Sequence, residues 1–349
     1  MIVHNRPLIT QEDRASVDAV LASGWIAQGP VVARLEAAML EQLPFGGAAC
    51  AVSSGTAALF LALKALGAGP GSMVAVPSYA CSALLNAVFM AGATPQVVDV
   101  LPETFCLDPN AVQADRANFI IAVHTFGARS DIASLKALGG VLVEDCCQAV
   151  GGMASGVPLG AMGEAAVFSF YASKIVTGGQ GGLVWSRNPA VAEKVRDYRQ
   201  FDGRETYEPR FNLQMTDLQA ALAASQLERI ESIRARRAAI AAAYLSTLPS
   251  ALTTQAGLSE RGRMVHRFVV VTPDLMTRDA LRAHLATAGV ECIVPLERFE
   301  TLHRYLGLDP TEYPVSERLA DTTLSLPIHL CLTDDDISVI SDALGRFQL

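Results

Sequence analysis

The run Val141-Leu142-Val143-Glu144-Asp145-Cys146-Cys147-Gln148-Ala149 sets three apolar residues ahead of two carboxylates. A short apolar run of this kind reads as a strand buried on both faces of a sheet. Similar runs lie on either side of it, over 51–53, 73–76, 96–99, 119–123, 166–170 and 183–185, most of them bounded by Gly or Pro. Helical patterns fall between them over 56–66, 81–91, 131–138 and 189–200. Strands alternating with helices specify a doubly wound α/β layer, and such sheets bind ligands beyond the carboxyl ends of their strands.

The pattern changes near Asp217. From there to Leu248 there is no Gly or Pro, and Ala, Leu, Arg and Glu dominate, which predicts one long helix or a helix pair. A second unit follows, with a strand over 266–271 and a helix over 278–288 that stops at Gly289. A strand over 291–294 and a terminal helix over 334–347, capped by Thr333, complete it. The expected division is a large domain over 1–240 and a small C-terminal domain over 241–349, with the first thirty residues as an arm.

The chain has 349 residues, long enough to bury a sizeable core, and 51% of them are hydrophobic, which excludes general disorder. The net charge of −8 and the lack of any Lys/Arg-rich run argue against nucleic acid and against an anionic membrane surface as partners. No stretch has the length of a membrane span, and the N-terminus lacks the apolar core of an export signal. The seven cysteines are irregularly spaced without a CxxC pair, so they read as reduced thiols of a cytoplasmic protein and no metal site is expected.

Three segments can carry chemistry. Ser53-Ser54-Gly55-Thr56-Ala57-Ala58-Leu59 joins a strand to a helix, where free N–H groups and hydroxyls bind phosphate or simply cap the helix. Asp145, at the end of its strand, can hold a ring nitrogen protonated or cap the next turn. Lys174 follows Phe168-Ser169-Phe170 and precedes the glycine-rich 177–182, where it is a Schiff-base lysine, a phosphate contact or a surface residue. Taken together and in this order, they supply what pyridoxal 5'-phosphate (PLP) requires: donors for its phosphate, an acid for its pyridine nitrogen and an amine for its aldehyde.

With these motifs in place, the sequence resembles the DegT/DnrJ/EryC1/StrS sugar aminotransferases, a family of fold-type I PLP enzymes. The likeness runs from Ser23-Gly24-Trp25-Ile26-Ala27-Gln28-Gly29-Pro30 through Val76-Pro77-Ser78-Tyr79, Val123-His124-Thr125-Phe126-Gly127 and Glu144-Asp145-Cys146-Cys147-Gln148 to Leu326-Pro327-Ile328-His329. The resemblance implies a large domain with a mostly parallel sheet sandwiched by helices and a smaller α+β domain. It implies Lys174 as the covalent anchor and base, and Asp145 as the pyridinium partner. Gln148 is implied at the ring hydroxyl, and Gly55, Thr56 and Ser169 around the phosphate. Asn212 is implied as a phosphate contact reaching the other subunit of a homodimer with shared sites.

Several positions depart from the family. Cys81 stands where an aromatic residue commonly stacks on the ring, so a soft contact or Tyr79 must serve. Gln214 replaces a common Arg while Arg210 adds one nearby, and the small-domain segment Ile293-Val294-Pro295-Leu296-Glu297-Arg298-Phe299 lacks the usual histidines. His124 matches a family histidine or is a packed structural one. The reading implied is transfer of an amino group from L-glutamate or a similar donor to a keto-sugar, nucleotide-linked, in amino-sugar biosynthesis. The alternatives are a transaminase of a cyclitol or other non-nucleotide ketone, and a non-catalytic PLP-binding regulatory protein. Keto-sugar deoxygenation is disfavoured by Lys174 and by the lack of a cysteine cluster.

Overall fold

The computed structural model describes residues 1–348. The chain opens with helices α1 (Gln11–Ser23) and α2 (Pro30–Gln42) before strand β1 (Ala48–Val52). Next come α3 (Gly55–Ala65), β2 (Met73–Pro77), α4 (Ala83–Met90) and β3 (Thr94–Val98). These are followed by β4 (Phe119–Val123), α5 (Ile132–Ala137) and β5 (Val141–Asp145). A small hairpin of β6 (Met153–Ala154) and β7 (Val157–Pro158) precedes β8 (Ala165–Ser169), β9 (Gly182–Ser186) and α6 (Pro189–Arg199).

The large sheet has the order β1-β9-β8-β5-β4-β2-β3. Its neighbours pair in parallel except where β9 runs against β1 and β8. Alternation of side chains puts the two sets of each strand into different cores. Val74, Val76, Ile121 and Val123 pack with α3, α4 and α6. Ala75, Ile120, Ala122 and Leu142 pack with α5. At the β1–β8 side, Ala51, Phe168 and Trp185 pack with α2 and the helix that follows α6. The protein is therefore α/β, with a mostly parallel sheet covered by helices on both faces.

The Gly- and Pro-free segment forms a helix pair, α7 (Asp217–Leu227) and α8 (Ile230–Thr247). The rest builds a second layer: β10 (Thr253–Thr254), β11 (Phe268–Val271), α9 (Leu275–Thr287), the short α10 (Leu302–Tyr305), α11 (Pro314–Thr322), β12 (Thr323–Leu326) and α12 (Asp334–Arg346). Its antiparallel sheet has the order β10-β11-β12. Helix α8 serves two cores: Ile230 and Ile233 pack with the large-sheet cluster, Ile240, Ala241 and Tyr244 with the small-sheet cluster.

Two expectations need correction. Residues 291–294 form no ladder strand; Ile293 makes a single bridge to Ser325. Pro295, two residues on, has no N–H with which to extend the pairing. The first thirty residues are more than an arm. Helix α1 is packed into the body because buried Asp13 completes a capping box with Thr10 and accepts hydrogen bonds from Ser225 and Arg229. Only the segment before it is strap-like, and it crosses to the second layer: the Ile2 N–H donates to Gly289 and the Ile2 carbonyl accepts from Glu291.

Asp217 illustrates how carboxylates set helix starts here. Almost fully buried, it begins α7 and accepts from the N–H groups of Gly29, Val31 and Val32 at 2.8, 3.2 and 2.9 Å, closing the N-terminus of α2. Asp217→Ala is expected to destabilise the protein by about 2 kcal/mol, the range for losing hydrogen bonds to a buried charge. The check is a lowered urea midpoint at unchanged slope; an unchanged midpoint removes the role assigned to this carboxylate.

Candidate active site

The parallel strands all end on one side, and a cavity of about 310 Å³ opens there. Its wall takes Ser54, Gly55 and Thr56 from the β1–α3 junction, Tyr79 after β2, Asp145 from β5 and Ser169 from β8. Cys81, Cys147, Gln148 and Lys174 line it too. Seven of the eight expected cofactor positions therefore share one cavity: Gly55, Thr56, Cys81, Asp145, Gln148, Ser169 and Lys174. Asn212 does not line it; it is exposed on the segment between α6 and α7.

Ser54 caps α3 by accepting from the Ala57 N–H at 3.1 Å. As the first two helical residues, Gly55 and Thr56 carry N–H groups with no acceptor inside the helix. A Cβ on Gly55 would lie 2.9 Å from the Ser169 Cβ and 3.0 Å from its Oγ, so glycine keeps this cradle open. Asp145 Oδ1 accepts from the Cys147 N–H at 2.9 Å. Gln148 Oε1 accepts from the Phe126 N–H at 2.7 Å, which leaves its amide nitrogen as the donor. The Lys174 amine has no hydrogen-bond or ion-pair partner among the described residues, while its own backbone is held by Tyr171.

Period-two alternation separates the two acids of β5. Asp145 faces the cavity, whereas Glu144 is buried on the other side of the strand. Glu144 accepts from His124 Nε2 at 3.0 Å and from the N–H groups of Gly160, Met162 and Gly163 at 3.0, 2.7 and 2.6 Å. His124 Nδ1 accepts from the Ser130 N–H, which assigns the proton to Nε2. His124 is fully buried outside the cavity wall, so it is the packed structural histidine.

The turn Thr125-Phe126-Gly127 closes the far wall. Phe126 adopts φ +53 and Gly127 φ +89; a Cβ on Gly127 would overlap the Met264 carbonyl oxygen. The Phe126 carbonyl accepts from the His266 N–H at 3.2 Å, bringing the entry to β11 against the cavity. Tyr79, Phe105 and Phe126 meet edge to face, and the Tyr79 hydroxyl pairs with Thr323 at 2.9 Å. Tyr79 is thus fixed within this cluster and is not free to replace an aromatic at position 81. Burial pushes the Cys81 thiol up, and that of Cys147 far up, so both stand as neutral contacts. Arg210 does not reach the cavity; its guanidinium pairs with Asp197.

Among the cavity residues that the sequence reading did not assign to the site are His266 and Arg267. Both precede the apolar strand β11, and nothing in a strand pattern distinguishes a residue that enters a distant site. Burial and the nearby Lys174 amine push the His266 pKa well below its ordinary value, so it is neutral. Among the described residues no three His, Cys, Asp or Glu side chains are grouped as metal ligands.

Residues 7–345 match the DegT/DnrJ/EryC1/StrS aminotransferase family. The chain belongs to that family. Among solved structures, this aminotransferase is similar to DesV of S. venezuelae, solved with a ketimine intermediate, at 32% identity, TM-score 0.86, and 96% and 94% coverage of the two chains. It is similar to the sugar aminotransferase CalS13 of Micromonospora echinospora at 25% identity and TM-score 0.87, covering 99% of each chain. It is also similar to the PLP form of Spr1654 from Streptococcus pneumoniae at 27% identity and TM-score 0.89, covering 98% and 97%.

Burial by itself would raise the Glu144 pKa, but the donors from His124, Gly163 and Met162 carry it below the ordinary 4.5. A depressed carboxylate contributes stability above that value and loses it as the pH falls. Glu144→Gln is expected to cost about 1–3 kcal/mol at pH 7, with the deficit shrinking below pH 4.5. Chemical denaturation across pH checks this; a deficit independent of pH removes the ionised carboxylate from the account.

Proposed function

We propose that this chain transfers an amino group from L-glutamate, or a similar donor, to a nucleotide-linked keto-sugar in amino-sugar biosynthesis. The observation that carries the reading is the unpartnered Lys174 amine in one cavity with Asp145, Gln148 and the Gly55–Thr56 cradle. The cofactor is pyridoxal 5'-phosphate, and the donor set fits it: anion-binding N–H groups at one end, a carboxylate in the middle and an amide donor beyond. When bound, PLP supplies an aldehyde that captures amines and a protonated ring that draws electrons from the carbon beside the captured nitrogen.

The chain's own residues divide the work. The Gly55 and Thr56 N–H groups and the Thr56 and Ser169 hydroxyls hold the phosphate, helped by the α3 dipole. The Asp145 carboxylate, whose Oδ1 is steadied by the Cys147 N–H, keeps a proton on the ring nitrogen. Gln148, anchored through Oε1 to Phe126, donates its amide to the ring oxygen. Lys174 would hold the cofactor through its aldehyde, and its amine, when free, would serve as the base that takes the proton from the donor's Cα. Cys81 in the cavity wall would offer the ring a soft, uncharged contact.

The relatives support a sugar ketone as acceptor, since CalS13 is a sugar aminotransferase. A cyclitol or other non-nucleotide ketone is the second reading, because Pro295 and Leu296, from the segment that departs from the family pattern, stand in the cavity wall. The enzyme is read as a cytoplasmic homodimer whose Asn212 serves the partner's site, which agrees with Asn212 being exposed and outside its own cavity. Among the described residues no helix is long and apolar enough to cross a membrane. The reading includes a large cofactor-binding domain over 1–240 and a small C-terminal domain over 241–349.

The cofactor-loaded protein is expected to lose its visible band on adding L-glutamate and to regain it with a keto-sugar. Lys174→Ala is expected to abolish both changes, and turnover at the wild-type rate would remove Lys174 from its role. Asn212→Ala is expected to raise the dissociation constant for PLP about tenfold, as for one lost phosphate contact. Equilibrium dialysis checks it, and unchanged retention argues that this segment faces elsewhere.

A further inference from the structure

Arg267 stands apart from the other enclosed arginines. The Arg199 guanidinium meets Glu36 and the Ala51 carbonyl, Arg237 meets three carbonyls, and Arg278 meets Asp279 and the Ala320 carbonyl. The Arg267 guanidinium has no hydrogen-bond or ion-pair partner among the described residues, and its Nη1 is fully buried. It lies over the Phe126 ring, 5.7 Å from the centroid, and lines the active-site cavity. Burial pushes its pKa below the ordinary 12.5, and no carboxylate stands near enough to offset this. A buried charge is retained only where something completes it, and a cavity-facing guanidinium is completed by an anion.

The sheet order says which anion. Gly55 and Ser169, the phosphate end, follow β1 and β8; Phe126 and Tyr79, which Arg267 adjoins, follow β4 and β2. Asp145 of β5 lies between the two groups. Arg267 is thus at the end of the cavity away from the phosphate cradle, beyond Gln148, whose partner is Phe126. The anion must belong to a substrate. An amino-acid donor always carries a carboxylate on the reacting carbon, next to the atom that meets Lys174; a keto-sugar carries none there.

We propose that Arg267 receives the α-carboxylate of the amino donor, a planar pair of oxygens that its planar fork can grip on two sides. The assignment rests on the aminotransfer reading above. It makes Arg267 a specificity residue for one half-reaction alone: the donor engages it, and the ketone reacts without it.

The test uses the PLP-loaded enzyme and its Arg267→Gln and Arg267→Lys variants. Calorimetry with 2-methyl-L-glutamate, which has no Cα proton and so cannot be transaminated, reads the site without turnover. Arg267→Gln is expected to weaken binding about 30-fold or more, as for truncating one side of a buried charged pair, and Arg267→Lys to restore part of it. Equal affinity in all three proteins overturns the proposal. The two half-reactions are then followed separately by the cofactor's absorption. The KM for L-glutamate is expected to rise in Arg267→Gln, while wild-type preference for L-glutamate over its α-amide disappears and preference over its γ-amide persists. A loss confined to the ketone half-reaction overturns the proposal and gives the guanidinium to an acceptor phosphate or carboxylate. Thermal melting of the variants without ligand guards against misfolding, and removing an uncompensated charge is expected to leave it unchanged or raised. Binding by the wild type without any conversion would sink the aminotransfer reading and leave the carboxylate site standing; conversion unaffected by Arg267→Gln would do the reverse.

Discussion

The backbone of Phe126 joins the two layers of the protein. Its N–H is taken by Gln148 at the end of the large sheet, and its carbonyl by the His266 N–H at the entry to the small one. A phenylalanine in the left-handed region costs about 1–2 kcal/mol, and here two hydrogen bonds and edge-to-face contacts with Tyr79 and Phe105 hold it there. Gly127 follows because no side chain fits beneath the Met264 carbonyl. The shape of the cavity depends on this turn: Gln148 is aimed by it, and Arg267 is laid across its ring. If the turn relaxed, cofactor contact and substrate contact would shift together.

Much of this was legible in the sequence. Strands β4 and β5 are continuous apolar runs because both their faces are covered, and a run without alternation carries that fact openly. The small residues at 53–56 and the lysine after β8 announce themselves because phosphate and amine chemistry demand particular residue types at strand ends. What was not legible depends on contacts between distant segments. Nothing local says that Asp13 meets Arg229, which turns an arm into a packed helix. The choice between Glu144 and Asp145 could be posed from the sequence, but only the covered faces of β5 decide it. Arg267 was invisible for the same reason: its importance lies in having no partner, a property of its surroundings and not of its neighbours in the chain.

Ionic groups in the interior follow a common pattern, with one exception. Asp13, Glu36, Glu144 and Asp217 each collect several donors, from helix starts, strand edges or arginines. Satisfied in this way, a buried carboxylate fixes the elements around it, and the backbone that carries Asp145 and Lys174 is held by such fixed points. The cavity departs from the pattern. There an amine and a guanidinium stand without partners of their own, and their electrostatic needs are left to be met by what enters.

The strap formed by Ile2 has a bearing on how the molecule comes into being. Its hydrogen bonds run to Gly289 and Glu291, on the far side of almost the entire polypeptide, while α1 and α2 belong to the other layer. During synthesis the emerging N-terminal segment therefore waits for its mate until most of the chain has left the ribosome. Contacts so remote in sequence form late, because the loop they close is long and its entropy must be overcome first. The large sheet can assemble as its strands emerge, but the strap docks on the second layer only once residues 289–291 are out, and until then its backbone groups are exposed to any edge that will pair with them.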